Sequence, residues 1–600
     1  MNDVFFGSLT RRKILFTIII IFYGLISFNL FKMQILDTFL YEEKSDENSV
    51  KKIVKSAPRG IFYDRNYNVL VSNKPSFELS VIPADYDTSN NKLIENLLGV
   101  DPGYISQIMY ENRRFSKYVP LVIHRNAGFK LVSWLEENSS FLPGVNYEVS
   151  VQRDYSFGVN GAHMFGYIKE ISQSEYRKYR DIYGMGDFIG NNGLERSYER
   201  YLRGDKGYNY IIVDSKQKFI AEYTGEKNRD PIKGDDLVLS IDADVQMKAE
   251  ELFRDKTGAV VAINPQNGEV LAFVSSPSFD LSNFSSITSN DVWSNLLADT
   301  SKPMFNRVTN SIYPPGSTIK MLMALIGLEE GILTKSTTVN CQGGYKFGNR
   351  FFQCLHKHGT VNVEKAIEKS CNTFFYKLAL DIGLDNIVKY GRRFGFGMKT
   401  GLDIGEESSG LLPDENYYNK IYGKKGWTRG ILLNIGIGQG ELSATPMQLA
   451  RYAALFANWG KSKRPHFVKG TIDSETFDFT EFEYESIDVG IQRENFDIIR
   501  EAMRKVVNGQ GTATWIRLPD IVISGKTGTS QNPFGEDHAL FVGFAPFDNP
   551  QIALAVVVEN VGHGGTHAAP IARDLIKTFL RKENKITKFS EEMEVVQLEN

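Results

Sequence analysis

Tyr313-Pro314-Pro315-Gly316-Ser317-Thr318-Ile319-Lys320 sets a structure-breaking Pro-Pro-Gly run directly against an apolar one, residues 321–328. Ser317 is therefore expected at the start of a helix buried in the core. Free backbone N–H groups there favour a developing negative charge. Lys320 lies three residues on, one helical turn away and on the same face. A lysine amine beside a serine hydroxyl, both shielded from water, can lose its proton and act as a base. Ser215-Lys216-Gln217-Lys218 has the same Ser-x-x-Lys spacing. It sits in a polar stretch with no apolar helix after it, so the flanks single out Ser317.

Downstream comes Ser370-Cys371-Asn372, followed by Thr373-Phe374-Phe375-Tyr376. A serine and an asparagine two apart in a loop can both point into one cleft. The spacing recurs at Ser27 and Ser89 and is weak alone. Lys-Thr-Gly occurs at Lys256, Lys399 and Lys526. Only Lys526, in Ser524-Gly525-Lys526-Thr527-Gly528-Thr529, follows an evident strand, Ile521-Val522-Ile523. Gly528 is expected to let a substrate backbone lie close against that strand.

Around these motifs the pattern is mixed. Residues 237–241 read as a strand and 243–254 as a helix capped by Asp242. Residues 258–263 and 270–274 read as buried strands joined by a turn through Asn267-Gly268. Further strands are expected at 520–527, 539–545 and 552–558, and a final helix at about 570–582. The chain has 600 residues, 42 % of them hydrophobic, which suggests two to four domains. With 24 % charged residues and a net charge of −3, nothing marks a nucleic-acid binder or a disordered chain. Residues 14–31 form an uncharged apolar run, which as a helix would rise roughly 27 Å, close to a bilayer's hydrocarbon thickness. A cleaved signal peptide would have a shorter core and a small-residue cleavage site. The run reads as an uncleaved anchor. Arg11, Arg12 and Lys13 just before it favour the N-terminus inside. A charged, polar stalk follows over 33–56.

The order Ser-x-x-Lys, Ser-x-Asn, Lys-Thr-Gly resembles the signature of penicillin-binding proteins and serine β-lactamases. Ala57-Pro58-Arg59-Gly60 with Asp64-Arg65, Gly193-Leu194-Glu195, and Gly436-Ile437-Gly438-Gln439-Gly440 with Thr445-Pro446 are similar to motifs of the class B penicillin-binding proteins. The flanks of Ser317 and Asn372 lean toward the penicillin-binding protein 2 branch, which serves cell elongation. The resemblance implies an α/β (α+β) architecture. A cytoplasmic tail would span 1–13 and a single transmembrane helix 14–31. An elongated, mixed α+β, non-catalytic pedestal or dimerisation-like domain would span 32–235. A transpeptidase domain with a central antiparallel sheet flanked by helices would span 236–583, and a flexible tail 584–600. It also implies a peptidoglycan D,D-transpeptidase of the inner membrane, with its catalytic domain in the periplasm. Ser317 would attack the penultimate D-Ala carbonyl of a stem peptide, with Lys320 as base. Ser370 would relay a proton and Asn372 would hold the substrate amide. Lys526 and Thr527 would bind the terminal carboxylate, with Gly528 beside them. The N–H groups of Ser317 and Thr529 would form the oxyanion hole. β-Lactams would acylate the same serine. Implied partners are the membrane, a polytopic glycosyltransferase and other elongation-machinery proteins, with no nucleic acid. Division-specific relatives, D,D-carboxypeptidases, β-lactamases and β-lactam sensors share the triple. Chain length and a single span set this chain apart from the last three.

The three cysteines, Cys341, Cys354 and Cys371, cluster with His358 at spacings of 13, 4 and 13 residues. Three thiolates and an imidazole make an ordinary tetrahedral zinc set. A disulfide with one thiol left over, or three buried thiols, are the alternatives. His356 is a competing ligand. Some penicillin-binding protein 2 members carry a metal beside the Ser-x-Asn motif. The resemblance therefore implies one structural zinc ion on Cys341, Cys354, His358 and Cys371, bracing the site loop, and no organic cofactor.

Overall fold

The computed structural model describes residues 9–36, 50–114, 117–118, 120–214, 219–223, 227–285, 288–424 and 426–598. Ser215 to Lys218, the second Ser-x-x-Lys match, lies outside them. The chain folds as two compact units. One comprises the chain up to Ala57 with Pro75–Val151 and Asp205–Ile232. The other comprises Pro58–Lys74, Gln152–Gly204 and the chain from Lys233 onward.

The first unit begins with helix Leu9–Phe31, whose apolar side chains are exposed all along its length. It is long and apolar enough to cross a membrane. Residues 50–55, expected as polar stalk, instead form strand Val50–Lys55, antiparallel to Gly207–Val213. Val50, Ile53 and Val54 supply the β-branched content that favours it. Residues 37–49 of the expected stalk lie outside the described residues. In the same unit residues 77–81 pair with Leu121–Ala127. Helices Asn91–Leu98, Tyr104–Glu111 and Phe129–Glu137 close over a small core of Leu79, Val81, Ile94, Ile105, Ile123 and Leu135.

The second unit is built on an antiparallel five-stranded sheet. Its spatial order is Val270–Ser276, Gly258–Ile263, Ile552–Val558, His538–Ala545, Ser524–Ser530. Strands Gly258–Ile263 and Ile552–Val558 are buried at every position, as near-continuous apolar runs require when both faces are covered. Helices Ala243–Phe253 and Gly564–Leu598 pack on each other against the sheet, and Pro446–Ala457 packs on its central strands. Asp242 caps Ala243–Phe253 by accepting from the N–H groups of Asp244 and Val245, as expected. In the 264–268 turn only Gly268 takes a positive φ, of 80°. The strand carrying Lys526 starts at Ser524, not at 520. Its partner ends at Ala545, and Pro546 has no N–H to extend the ladder. Ile521 and Ile523 are buried without being paired. The last helix runs from Gly564 to Leu598, longer at both ends than 570–582. Residues 583–598 include four Glu and two Lys, good helix formers.

The unit also explains two of the motifs. Glu195, with no solvent access, is held between two arginines. Arg59 reaches one carboxylate oxygen at 2.6 Å and Arg153 the other at 2.7 Å. Arg59 also pairs with Glu199 at 2.7 Å. Arg59-Gly60 and Gly-Leu-Glu195 are thus two halves of one buried ion cluster, joined only by folding.

Candidate active site

Ser317 stands in a single 3₁₀ turn, Gly316–Ile319, and the α-helix begins at Lys320. The turn is fixed from two sides. The hydroxyl of buried Tyr452 donates to Thr318 O at 2.9 Å and accepts from Leu322 N–H at 3.1 Å. The Gly316 N–H donates to Gly438 O at 2.8 Å. Gly438 has φ of 73°, and a Cβ there would lie 2.0 Å from Gly316 O. The Gly436–Gly440 motif is therefore the backbone buttress of the Ser317 turn. Upstream, Tyr313 donates to Glu559 at 2.6 Å, which also pairs with Arg307 at 3.2 Å.

Lys320 is fully buried, and its amine is hydrogen-bonded to the Ser-x-Asn motif. Its hydrogen bonds go to Ser370 O at 2.9 Å, Ser370 Oγ at 3.2 Å and Asn372 Oδ1 at 2.6 Å. Lys526, also fully buried, donates to the same Ser370 Oγ at 3.0 Å and to Thr527 O at 3.1 Å. Ser370 thus stands between two amines. It occupies this point because its backbone takes φ of 57°, in the left-handed region, between helix Val363–Glu368 and helix Asn372–Arg393. Two ammonium charges about 3 Å from one oxygen would repel strongly in a dry site. Burial pulls Lys320 down to about 7, against the opposing pull of Cys354 and Cys371. Burial and then the charge of Lys320 hold Lys526 well below its ordinary value.

Thr527, Gly528 and Thr529 lie on strand Ser524–Ser530, at the edge of the sheet. Thr529 O accepts from the Gln439 side chain at 2.9 Å, so that residue's backbone faces outward. In an antiparallel strand its N–H points the same way, as do the polar groups of Thr527. Packing inside the fold also calls for a glycine at 528. A Cβ there would come within 3.1 Å of Pro315 O and 3.0 Å of Thr318 Cγ2. The neighbours that leave no room for a side chain there are the Ser317 turn and Leu540, whose Cβ would lie 3.1 Å away.

Cys341 ends a strand, Cys354 and His358 flank a short loop, and Cys371 is the residue just before helix Asn372–Arg393. The donor atoms of these four lie within 4.8 Å of one another. His358 Nδ1 is 3.6 Å from Cys341 Sγ and 3.5 Å from Cys354 Sγ, and the Cys354 and Cys371 sulfurs are 4.0 Å apart. The three thiols are unbonded to each other. His356 is not in the set; its carbonyl faces Cys341. Sequence reading missed Tyr452, Glu559 and Thr512, which donates to or accepts from Thr527 across 2.7 Å. Nothing local marks them.

The family model described as the penicillin binding protein transpeptidase domain matches residues 258–577. The chain belongs to the penicillin-binding proteins. A second family model, the penicillin-binding protein dimerisation domain, matches residues 54–239. Among curated relatives, a peptidoglycan D,D-transpeptidase MrdA of Acinetobacter baumannii is 35 % identical, over 92 % of this chain and 85 % of the relative. The structure of penicillin-binding protein 2 in complex with MreC from Helicobacter pylori aligns with a TM-score of 0.74 at 28 % identity, over 89 % of this chain and 99 % of that one. A peptidoglycan synthase complex, described as coordinating polymerization and crosslinking, contains a chain that aligns with a TM-score of 0.72 at 26 % identity, over 95 % of this chain and 98 % of that one. In this penicillin-binding protein the three motifs expected from sequence converge on Ser370.

Proposed function

We propose that Ser317 is the nucleophile with which this peptidoglycan D,D-transpeptidase of cell elongation cross-links stem peptides. The observation that carries the reading is the shared hydrogen bonding of Lys320 and Lys526 to Ser370 Oγ, beside an open strand edge. Lys320 as the free base accepts the Ser317 proton as Oγ attacks the penultimate D-Ala carbonyl carbon. The developing oxyanion is held by the N–H groups of Ser317 and Thr529, an arrangement in which one donor typically lowers the barrier by about 3 kcal/mol. The C–N bond to the terminal D-Ala then breaks. Ser370 passes a proton from the lysines to the departing amine, leaving an ester on Ser317. An amine of a second stem attacks that ester, the new amide forms, and Ser317 recovers its proton. The terminal carboxylate lies against Lys526 and Thr527, and Asn372 holds the substrate amide through its Nδ2, one hydrogen of which donates to Gln353 O at 3.4 Å. β-Lactams acylate Ser317 by the same attack.

Residues 14–31 hold the chain in the inner membrane, and the catalytic unit works in the periplasm. Residues 32–235 are non-catalytic and dock other elongation proteins, a polytopic glycosyltransferase among them. The comparison with a synthase complex that joins polymerization to crosslinking supports that role. A tetrahedral zinc with bonds of roughly 2.3 Å to sulfur and 2.0 Å to nitrogen would set its donors roughly 3.5–3.8 Å apart; the two His358–sulfur separations, 3.6 and 3.5 Å, fall in that range, and the Cys354–Cys371 separation, 4.0 Å, is slightly wider. Cys341, Cys354, His358 and Cys371 would hold one structural zinc ion, whose contribution is a cross-link bracing Cys371 and so Ser370 and Asn372. Purified protein should contain one zinc per chain and lose it in Cys354→Ser; metal-free wild type rules this out.

The test of the nucleophile is mass spectrometry after incubation with a penicillin. A single adduct on the Ser317 peptide, absent in Ser317→Ala, is expected. No adduct with the drug consumed would make the chain a hydrolase. No adduct with the drug intact would remove the catalytic reading.

A further inference from the structure

The loop that precedes the Lys-Thr-Gly strand carries a hydroxyl that no motif accounts for. Thr512 Oγ1 lies 2.7 Å from Thr527 Oγ1. Thr512 is itself exposed, yet its backbone is held on both sides. The Glu368 carboxylate accepts from Gln510 N–H at 2.6 Å, and the Lys369 amine donates to Gln510 O at 2.5 Å. Ala513 N–H donates to Val506 O at 3.1 Å. The two residues that grip Gln510 are those just before Ser370. On the other side, a Cβ on Gly565 would lie 2.9 Å from Thr512 O, so the start of the last helix closes against the loop.

The chemistry follows from counting protons. A carboxylate only accepts hydrogen bonds, so Thr527, if it binds one, must spend its single O–H on it. The Thr527 oxygen then faces Thr512 with lone pairs alone, and the Thr512 hydroxyl must be the donor. The result is a directed chain, Thr512 O–H to Thr527 O–H to carboxylate, in which each bond polarises the next. Without Thr512 the Thr527 hydroxyl is free to rotate toward other acceptors nearby.

We propose that Thr512 is a positioning residue for recognition of the donor's terminal carboxylate, orienting the Thr527 hydroxyl toward it. The proposal rests on the assignment of Thr527 to that carboxylate. Because the Thr512 side chain is exposed, its replacement should leave stability within about 0.5 kcal/mol. The experiment measures acylation of the full chain in detergent by benzylpenicillin and by its methyl ester, which keeps the reactive ring and loses the anion. Thr512→Val is expected to slow acylation by the acid by up to about tenfold, the upper end of what one neutral hydrogen bond contributes, and to leave the ester rate unchanged. Thr512→Ser should restore the acid rate. An equal fall for both compounds, or no fall, overturns the proposal. Thr527→Val separates the two readings. If it erases the acid-over-ester preference while Thr512→Val does not, only the role of Thr512 fails. If it leaves the preference intact, the carboxylate assignment fails as well.

Discussion

The buried position of Lys320 sets the pH dependence of acylation. Burial brings the amine from its ordinary 10.5 down to about 7. At pH 7.5 a group at 7 is roughly three-quarters free base, whereas one at 10.5 is about one-thousandth free base. Burial thus supplies a several-hundredfold gain in competent enzyme. The pseudo-first-order rate of acylation by a fluorescent penicillin should rise about tenfold per pH unit below the break, bend near pH 7 and flatten above it. Lys320→Met should remove both the rate and the bend. The same group leaves a mark on stability. Between about pH 7 and 10.5 the unfolded chain holds the proton that the folded chain has released. The penalty is therefore largest below pH 7 and shrinks as pH rises toward 10.5. Relative to Lys320→Met, the wild type should gain about 1.4 kcal/mol of stability per pH unit in that window. This slope is independent of the hydrogen bonds lost in the variant. A flat rate profile, or a bend above about pH 9, would refute the assignment of Lys320 as the base. Parallel stability curves for the two proteins would refute the depressed pKa.

Glu195→Gln leaves Arg59 and Arg153 buried beside a neutral amide; a loss of about 3–5 kcal/mol is expected in denaturant titration. Tyr452→Phe strands Thr318 O and Leu322 N–H in the core and should cost roughly 1–3 kcal/mol, with slower acylation, because the Ser317 turn loses its tie. Gly438→Ala forces a methyl to within 2.0 Å of Gly316 O. Acylation should fall on the order of a hundredfold while circular dichroism stays native, because the nucleophile turn shifts.

Some of this protein could be read directly from the order of its residues. Pro-Pro-Gly against an apolar run marks the Ser317 turn, because breakers and helix formers act locally. The apolar strands 258–263, 539–545 and 552–558 announce themselves by composition, since a strand covered on both faces has no room for polar side chains. The 14–31 run declares a span by length alone. The spacing of Cys341, Cys354, His358 and Cys371 groups those side chains because hairpins bring near neighbours together. Tertiary structure decided what depends on distance across the fold. Ser317 and Lys320 are three residues apart, yet the amine turns to Ser370, fifty residues on, because a left-handed backbone carries that carbonyl and hydroxyl to it. Arg59 finds Glu195, 136 residues away, and Thr512 finds Thr527 from an exposed loop with no pattern of its own. The strand with Lys526 begins at Ser524 because its partner runs out at Pro546. Local propensity is carried in adjacent residues, whereas the direction of a buried amine, the pairing of ions and the length of a ladder are set by whatever the folded chain brings opposite them.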